Sequence, residues 1–103
     1  MRYTTSSSFA RDVRRLPRDH QQAFLKTLRE HFLPAIEGGA FTGSPPWPTR
    51  LRVHRLTGTA IYSLTWSFAG PDGRATFHLE AGPDGAPVLV WRRIGTHAIY
   101  DQP

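Results

Sequence analysis

The spacing of apolar residues changes near residue 50, on either side of a loop rich in proline and glycine. Before that loop, Phe9, Val13 and Leu16 follow one another at intervals of four and three residues, which is typical of one face of a helix. After it, Tyr62 and Leu64 alternate with polar residues, which is typical of a strand. Since one element cannot satisfy both repeats, the sequence predicts helices followed by strands, an α+β fold.

Local signals mark the ends of two helices in the first part of the chain. The hydroxyls of Ser6–Ser8 are suited to cap a helix start, and Pro17 interrupts the first helix and opens the second. The apolar repeat then continues to Phe32, and Gly38-Gly39 ends the helix. These signals predict an N-terminal helical hairpin, preceded by a short opening strand at residues 1–5.

The second part of the chain reads as a series of short strands. They are predicted at residues 50–55, 60–68, 75–79 and 88–94, with turns at residues 57–59, 70–73 and 82–85. Together with the helices they predict one domain over residues 1–103, in which the hairpin packs on one face of a small, twisted, mainly antiparallel sheet of four to five strands. The other face carries polar and basic side chains and is expected to face solvent.

Basic residues are unevenly distributed. Lys and Arg number 13 against 8 Asp and Glu, and all but one of the basic residues are arginine. No acidic residue lies between Glu37 and Asp72, a stretch that contains Arg50, Arg52 and Arg55. The planar fork of arginine matches phosphate oxygens, so this distribution favours a nucleic-acid partner. A GC-rich genome is the alternative reason for so much arginine.

Several kinds of protein are not expected. The chain has no cysteine, which leaves neither disulfides nor thiolate metal sites. None of the five histidines pairs at ligand spacing with carboxylate support, so no metal or other cofactor is predicted. No apolar run has the length of a signal peptide or a membrane span, so a cytoplasmic protein without membrane contact is expected.

The end of the last predicted strand carries the motif Trp91-Arg92-Arg93-Ile94-Gly95-Thr96-His97, followed by Tyr100. This motif, together with the order of helices and strands over essentially the whole chain, resembles the RelE/ParE toxin superfamily, most closely its YafQ/RelE-type mRNA interferase branch. The resemblance implies the toxin of a type II toxin–antitoxin system. Its expected activity is ribosome-dependent cleavage of mRNA, and its expected partners are a cognate antitoxin, mRNA and the ribosome.

An endoribonuclease without metal uses the 2′-OH of RNA as nucleophile, and therefore needs proton transfer and stabilisation of phosphoryl charge. The resemblance assigns proton transfer to His97, a second functional histidine to His54, and contact with a base to Tyr100. Strand alternation predicts that only one of Arg92 and Arg93 lies on the polar side of the sheet. The predicted catalytic residues are His97, His54, Arg74, Arg92 and Arg93, and the predicted RNA-binding residues are Arg50, Arg52, Arg55, His78 and Tyr100.

The sequence also departs from the family pattern. Many relatives begin the central strand with an arginine that contacts the scissile phosphate, where this chain has Ala60-Ile61-Tyr62. A histidine and an aspartate of YafQ-like proteins are replaced near Trp47 and Thr57-Gly58. Arg74 or Arg52 is the expected substitute for the missing charge. Two alternatives therefore stay open: a ParE-like inhibitor of DNA gyrase without catalysis, and a plain RNA-binding module.

Overall fold

The structure is a computed structural model that describes residues 2–67 and 73–103. Its helices are α1, Ser7–Arg15; α2, Arg18–Thr27; and α3, Leu33–Glu37, with a π-helical turn at Leu28–Phe32 that joins α2 to α3. Ser6 caps α1, because its Oγ accepts a hydrogen bond of 3.0 Å from the amide of Phe9. The second helical run ends as predicted, at Gly39, whose φ of 101° favours glycine. No described helix combines the length and the apolar character that a membrane crossing requires.

Five strands form one mixed sheet. They are β1, Arg2–Thr5; β2, His54–Arg55; β3, Tyr62–Thr65; β4, Arg74–Ala81; and β5, Pro87–Gly95. Their order across the sheet is β1-β5-β4-β3-β2, with β1 parallel to β5 and the other three pairs antiparallel. The predicted α+β class and the opening strand are confirmed. Phe68 and most of the turn predicted at residues 70–73 lie outside the described residues.

The strand predicted at residues 50–55 is wrong over most of its length. Thr49–Leu51 form a 3-10 turn, and Arg52 takes the left-handed conformation with a φ of 49°. Only His54–Arg55 pair with β3. The physical reason is the side chain of Leu51, which is fully buried in the core and is placed there by the turn. Residues 50–53 therefore lack the two-residue alternation of a strand.

The helices cover one face of the sheet, and the core lies between the two layers. The register pairs Tyr62 with Phe77 and Phe77 with Trp91, so these rings form a row across three strands. The rings of Phe24 and Phe32 pack on this row, each with its centroid 5.4 Å from that of Trp91. Trp66 and Trp91 belong to this core, and Trp47 packs against it from the loop.

The start of α1 completes the edge of β5 beyond the end of β1. The Ser6 amide donates a hydrogen bond to the Trp91 carbonyl at 2.9 Å, and Ser6 Oγ donates to the Arg92 carbonyl at 2.8 Å. Further along, a carboxylate oxygen of Asp12 accepts from the Ile94 amide at 3.1 Å. These bonds satisfy main-chain groups that an edge strand would otherwise leave unpaired. They also hold α1 against the last strand.

Candidate functional site

The face of the sheet opposite the helices carries a row of polar side chains. His54 of β2 pairs with Ser63 of β3. Thr76 of β4 pairs with Ser63 on one side and with Arg93 of β5 on the other. Because directly paired residues point to the same side of a sheet, these four side chains share one face. We call it the polar face, and alternation along β3 and β4 adds Thr65, Arg74 and His78 to it.

A C-terminal turn covers the middle of the polar face. It consists of His97–Asp101, and Thr96 precedes it as the cap. Ile99 of this turn is 6% exposed and lies against Gly95, where an added Cβ would stand 3.0 Å from Ile99 Cγ2. The missing side chain of Gly95 is therefore what allows the turn to approach β5 so closely.

Because the C-terminal turn covers the centre of the polar face, the side chains there are buried from solvent. The prediction of a solvent-exposed face is therefore wrong at this place. Ser63 and Thr76 are fully buried, and Thr65 and Arg74 are 6% and 8% exposed. Thr76 Oγ1 has no hydrogen-bond partner among the residues that the structure describes. Alternation in the sequence identifies the face on which a residue lies. It carries no information about a later segment that folds back over that face.

Tyr100 connects the C-terminal turn to the sheet and contacts one of the two candidate histidines, His97. Its Oη lies 2.5 Å from Ser63 Oγ, a hydrogen bond in which either hydroxyl can donate. The ring of His97 meets the ring of Tyr100 edge-on, with centroids 4.5 Å apart and planes at 64°. Since Ser63 is the strand neighbour of His54, the structure connects His54 to His97 through two intervening residues.

The two histidines have exposed side chains in different surroundings. His54 Nδ1 lies 2.8 Å from the Arg52 carbonyl. A carbonyl can only accept, so the neutral ring of His54 carries its proton on Nδ1 and leaves a lone pair on Nε2. His97 contacts Tyr100 through its ring and makes no ring hydrogen bond within residues 2–67 and 73–103. Both rings are thus accessible for proton transfer at a nitrogen.

Both arginines before the terminal motif lie on the polar side of β5, so the prediction that only one does so is wrong. The register shifts between Thr76 and Phe77 of β4, which leaves Arg92 as an extra residue without a partner. Such a bulge places two residues of one strand opposite one residue of the next and interrupts the alternation. The guanidinium groups of Arg92 and Arg93 accordingly reach the same segment, the tail formed by Gln102 and Pro103.

Arg93 is held by an ion pair. Its Nε donates to Asp12 Oδ2 at 2.6 Å and its Nη2 donates to Oδ1 at 3.3 Å, while Nη1 donates to the Gln102 carbonyl at 3.0 Å. The hydrogen bond to Asp12 raises the pKa of Arg93 above its ordinary value, so the guanidinium stays charged. Because Asp12 balances that charge, Arg93 joins α1 to β5 as a structural contact.

Arg92 has a different environment. Nε and Nη2 both donate to the main-chain oxygen of Pro103, at 3.3 and 3.2 Å, and Nη1 lies 3.0 Å from His78 Nδ1. A guanidinium can only donate, so His78 Nδ1 accepts the hydrogen bond from Arg92 and carries no proton. The ring proton of His78 is therefore on Nε2, which lies 2.7 Å from Glu80 Oε1. Arg92 therefore holds the tail through two of its nitrogens and His78 through the third.

The remaining predicted residues are not gathered with the histidines. Arg74 belongs to the polar face but is buried, and its Nη1 donates to the Gly73 carbonyl at 3.3 Å. Arg50 lines a groove of about 390 Å³ beside Lys26 of α2, on the helical side. Arg55 pairs with Tyr62 and so belongs to the row that faces the helices. Arg52 lies between Arg50 and Arg55 in the sequence. It is exposed, and its carbonyl oxygen accepts a hydrogen bond from the ring of His54.

The sequence interpretation missed three residues that shape the site. Asp12 holds Arg93, and the only hint was a single acid among the arginines of the first predicted helix. Ser63 and Thr76 were interpreted as solvated positions, and nothing local marks them as buried. Among the residues that the structure describes, no group of three or more histidine, aspartate or glutamate side chains is placed to hold a metal ion.

Comparison with known proteins adds no family to this description. The sequence matches no family model, and a search of curated proteins finds no significant match.

Proposed function

We propose that this protein is the toxin of a type II toxin–antitoxin system, an endoribonuclease that cleaves mRNA on the ribosome without a metal ion. The proposal includes a RelE-like fold in which α1 and the run from α2 to α3 act as the helical hairpin of that family. It also implies a cytoplasmic protein, because the substrate is translated mRNA, and a cognate antitoxin as the inhibiting partner. The support comes from the terminal motif and from the arrangement of the polar face.

One observation carries the proposal: the residues that the resemblance assigns to catalysis lie on one side of the sheet although they are far apart in the sequence. His54 and His97 lie on the same side of the sheet and are linked through Ser63 and Tyr100. Arg92 lies on that side as well, because of the bulge in β5. Two histidines and an arginine around one surface can supply proton transfer and phosphoryl charge stabilisation.

The proposed reaction is transfer of the phosphoryl group to the neighbouring 2′-oxygen. The bond from the 2′-oxygen to phosphorus forms, and the bond from phosphorus to the 5′-oxygen breaks, which leaves a 2′,3′-cyclic phosphate and a 5′-OH. His54 suits the base that takes the 2′-OH proton, because its Nε2 has the free lone pair. His97 then gives a proton to the leaving 5′-oxygen, and Arg92 stabilises charge on the phosphoryl oxygens.

The other predicted contacts have supporting roles in this proposal. Tyr100 is half-buried and its hydroxyl is engaged with Ser63, so its role toward a base would be contact through the ring. Arg52 is exposed next to His54 and suits a backbone phosphate on the flanking nucleotide. Arg50 and Arg55 face the helical side and suit contacts with ribosomal RNA instead. Such contacts contribute affinity that weakens with salt.

Primer extension on translated mRNA tests the proposal. The purified protein is added to ribosomes paused on a message, and we expect cuts that disappear where the scissile nucleotide is 2′-deoxy. His97→Ala and His54→Ala should each lower the rate by about a hundredfold or more. His20→Gln, on α2 at the opposite side of the sheet, is the matched control and should cut at the normal rate. Cleavage of the 2′-deoxy message would overturn the mechanism.

A second candidate function is RNA binding without cleavage. It is favoured by the commitment of Arg93 to Asp12 and of Arg74 to a buried position, which leaves less charge for the transition state. In that case the protein binds RNA with an affinity that falls with salt, but no message is cut. If neither binding nor cutting occurs, an assay of gyrase supercoiling with the same protein tests the ParE-like alternative.

A further inference from the structure

An open cleft lies where the start of α1 meets β4 and β5. It has a volume of about 300 Å³. Its lining residues are Ser6, Ser8, His78, Arg92, Arg93 and the tail Gln102–Pro103. The cleft is polar, and two guanidinium groups form one wall.

The tail, Gln102–Pro103, occupies this cleft and accepts hydrogen bonds from both arginines. The fork of Arg92 holds the main-chain oxygen of Pro103 through two nitrogens, and Arg93 holds the carbonyl of Gln102. Among the described residues, neither Gln102 nor Pro103 belongs to the apolar core. The positions taken by these two oxygens are those that an arginine pair offers to the oxygens of a phosphate.

The guanidinium groups of the cleft can exchange the tail for an anion. Asp12 pairs with Arg93, whereas Arg92 donates to the tail oxygen and to His78 Nδ1. Phosphate oxygens make shorter and stronger hydrogen bonds to a guanidinium than the peptide carbonyl of Gln102 does. The hydroxyl of Ser8 stands at the same wall and adds a donor for a further oxygen.

We infer that this cleft is a phosphate-binding site whose intrachain occupant is the Gln102–Pro103 tail, and that a phosphate displaces the tail when it binds. The identification of the ligand as a backbone phosphate of RNA rests on the proposed function. The cleft contains Arg92, which acts on the scissile phosphate in the proposed reaction, and it lies at the end of the row that begins with His54, so it would hold that phosphate. The tail then regulates access to that position.

The test compares proteins that differ only in the tail. One variant ends at Asp101 and carries a C-terminal amide, so that no new carboxylate is placed near the arginines. The matched control is Gln102→Ala, which keeps both main-chain oxygens and removes only a side chain. Inorganic phosphate and hexauridylate are titrated at low salt, and binding is followed by the NMR signals of the arginine Nε–H groups.

We expect the shortened protein to bind both probes about tenfold more tightly than the full chain, because the hydrogen bonds to the tail no longer compete. Gln102→Ala should bind like the full chain. Arg92→Gln in the shortened protein should remove most of the gain. Equal affinity of the shortened and full chains, or a gain that survives Arg92→Gln, would overturn the inference.

The two proposals fail in different ways. If the shortened protein binds phosphate more tightly but no mRNA is cut, the cleft is confirmed and the nuclease proposal fails. If mRNA is cut but the tail has no effect on binding of either probe, the nuclease stands and the inference that phosphate displaces the tail is overturned. A thermal unfolding curve of each variant shows whether a loss of binding reflects a loss of fold.

Discussion

The hydroxyl of Tyr100 lies 2.5 Å from that of Ser63, and this hydrogen bond joins the end of the described chain to the middle of the sheet. Ser63 is fully buried, so its hydroxyl cannot turn to water instead. The bond therefore fixes the C-terminal turn over the polar face, with His97 on its outer side.

Removal of this bond should cost stability and leave the ring contacts in place. We expect Tyr100→Phe to lower the free energy of unfolding by about 1–2 kcal/mol, because Ser63 then keeps a buried hydroxyl without a partner. Ser63→Ala in the same background should cost less than it does alone, because the two changes remove the same interaction. Urea unfolding of the two single variants and the double variant measures this. Additive losses would show that the bond does not stabilise the fold.

The ion pair between Asp12 and Arg93 should stabilise the packing of α1 on β5. Asp12→Ala removes the acceptor of three hydrogen bonds, one of them from the Ile94 amide. We expect a loss of roughly 2–3 kcal/mol, since charged hydrogen bonds in a partly buried place are involved. Asp19→Ala, an exposed acid in the first turn of α2, is the control and should cost less than about 1 kcal/mol. Similar losses in both variants, measured by urea unfolding, would contradict this role.

Two glycines should respond differently to alanine. A Cβ at Gly73 would stand 2.3 Å from the indole ring of Trp66, whereas Gly85, with a φ of 81°, has no atom within 4 Å of such a Cβ. We therefore expect Gly73→Ala to cost about 1–3 kcal/mol through overpacking. Gly85→Ala should cost about 1 kcal/mol through its backbone conformation alone. Calorimetric unfolding together with Trp fluorescence distinguishes them, because only the first change should alter the emission.

Stability at alkaline pH should depend on Tyr3. Burial raises the pKa of its phenol above the ordinary value of 10.0, and the negative charge of Glu37 raises the pKa further. A raised pKa in the folded state means that the neutral phenol stabilises the fold fully below pH 10 and that this contribution is lost as the pH rises through the folded pKa. From pH 9 to pH 11.5 the wild type should therefore lose more stability than Tyr3→Phe. Guanidine unfolding at both pH values checks this, and parallel losses would exclude it.

The charge of Arg92 should appear in the salt dependence of RNA binding. We expect Arg92→Gln to reduce the slope of log K against log salt by about 0.7 for a short single strand, as for the loss of one phosphate contact. Arg29→Gln, on the π-helical turn at the helical side, should leave the slope unchanged. Fluorescence anisotropy at a series of salt concentrations provides the slopes. A slope that does not change in Arg92→Gln would place the phosphate contacts elsewhere.

Elements whose signals are local could be predicted from the sequence. The cap at Ser6, the break at Pro17 and the glycine end at Gly39 all lie where short-range chemistry dictates them. The turn at Thr49–Leu51 could not be predicted, because it depends on a pocket for Leu51 that only the packed helices and sheet create.

The candidate site could be predicted only in part, for a similar reason. The terminal motif indicated His97 and Tyr100 as candidates, and alternation indicated which residues share a face with Thr76. The bulge at Arg92 interrupts that alternation without a local marker such as glycine. The return of the C-terminal turn over Ser63 is a contact between residues 37 positions apart in the sequence, which no local pattern records.

The parallel pairing of β1 with β5 has a consequence for the order in which a newly made chain can fold. Arg2–Thr5 are synthesised more than 80 residues before their partners, residues 88–91. Until those residues emerge, β1 has no strand to join, while the helices and the β3–β4 pair can form from nearer neighbours. The sheet is therefore completed only after β5 has been made.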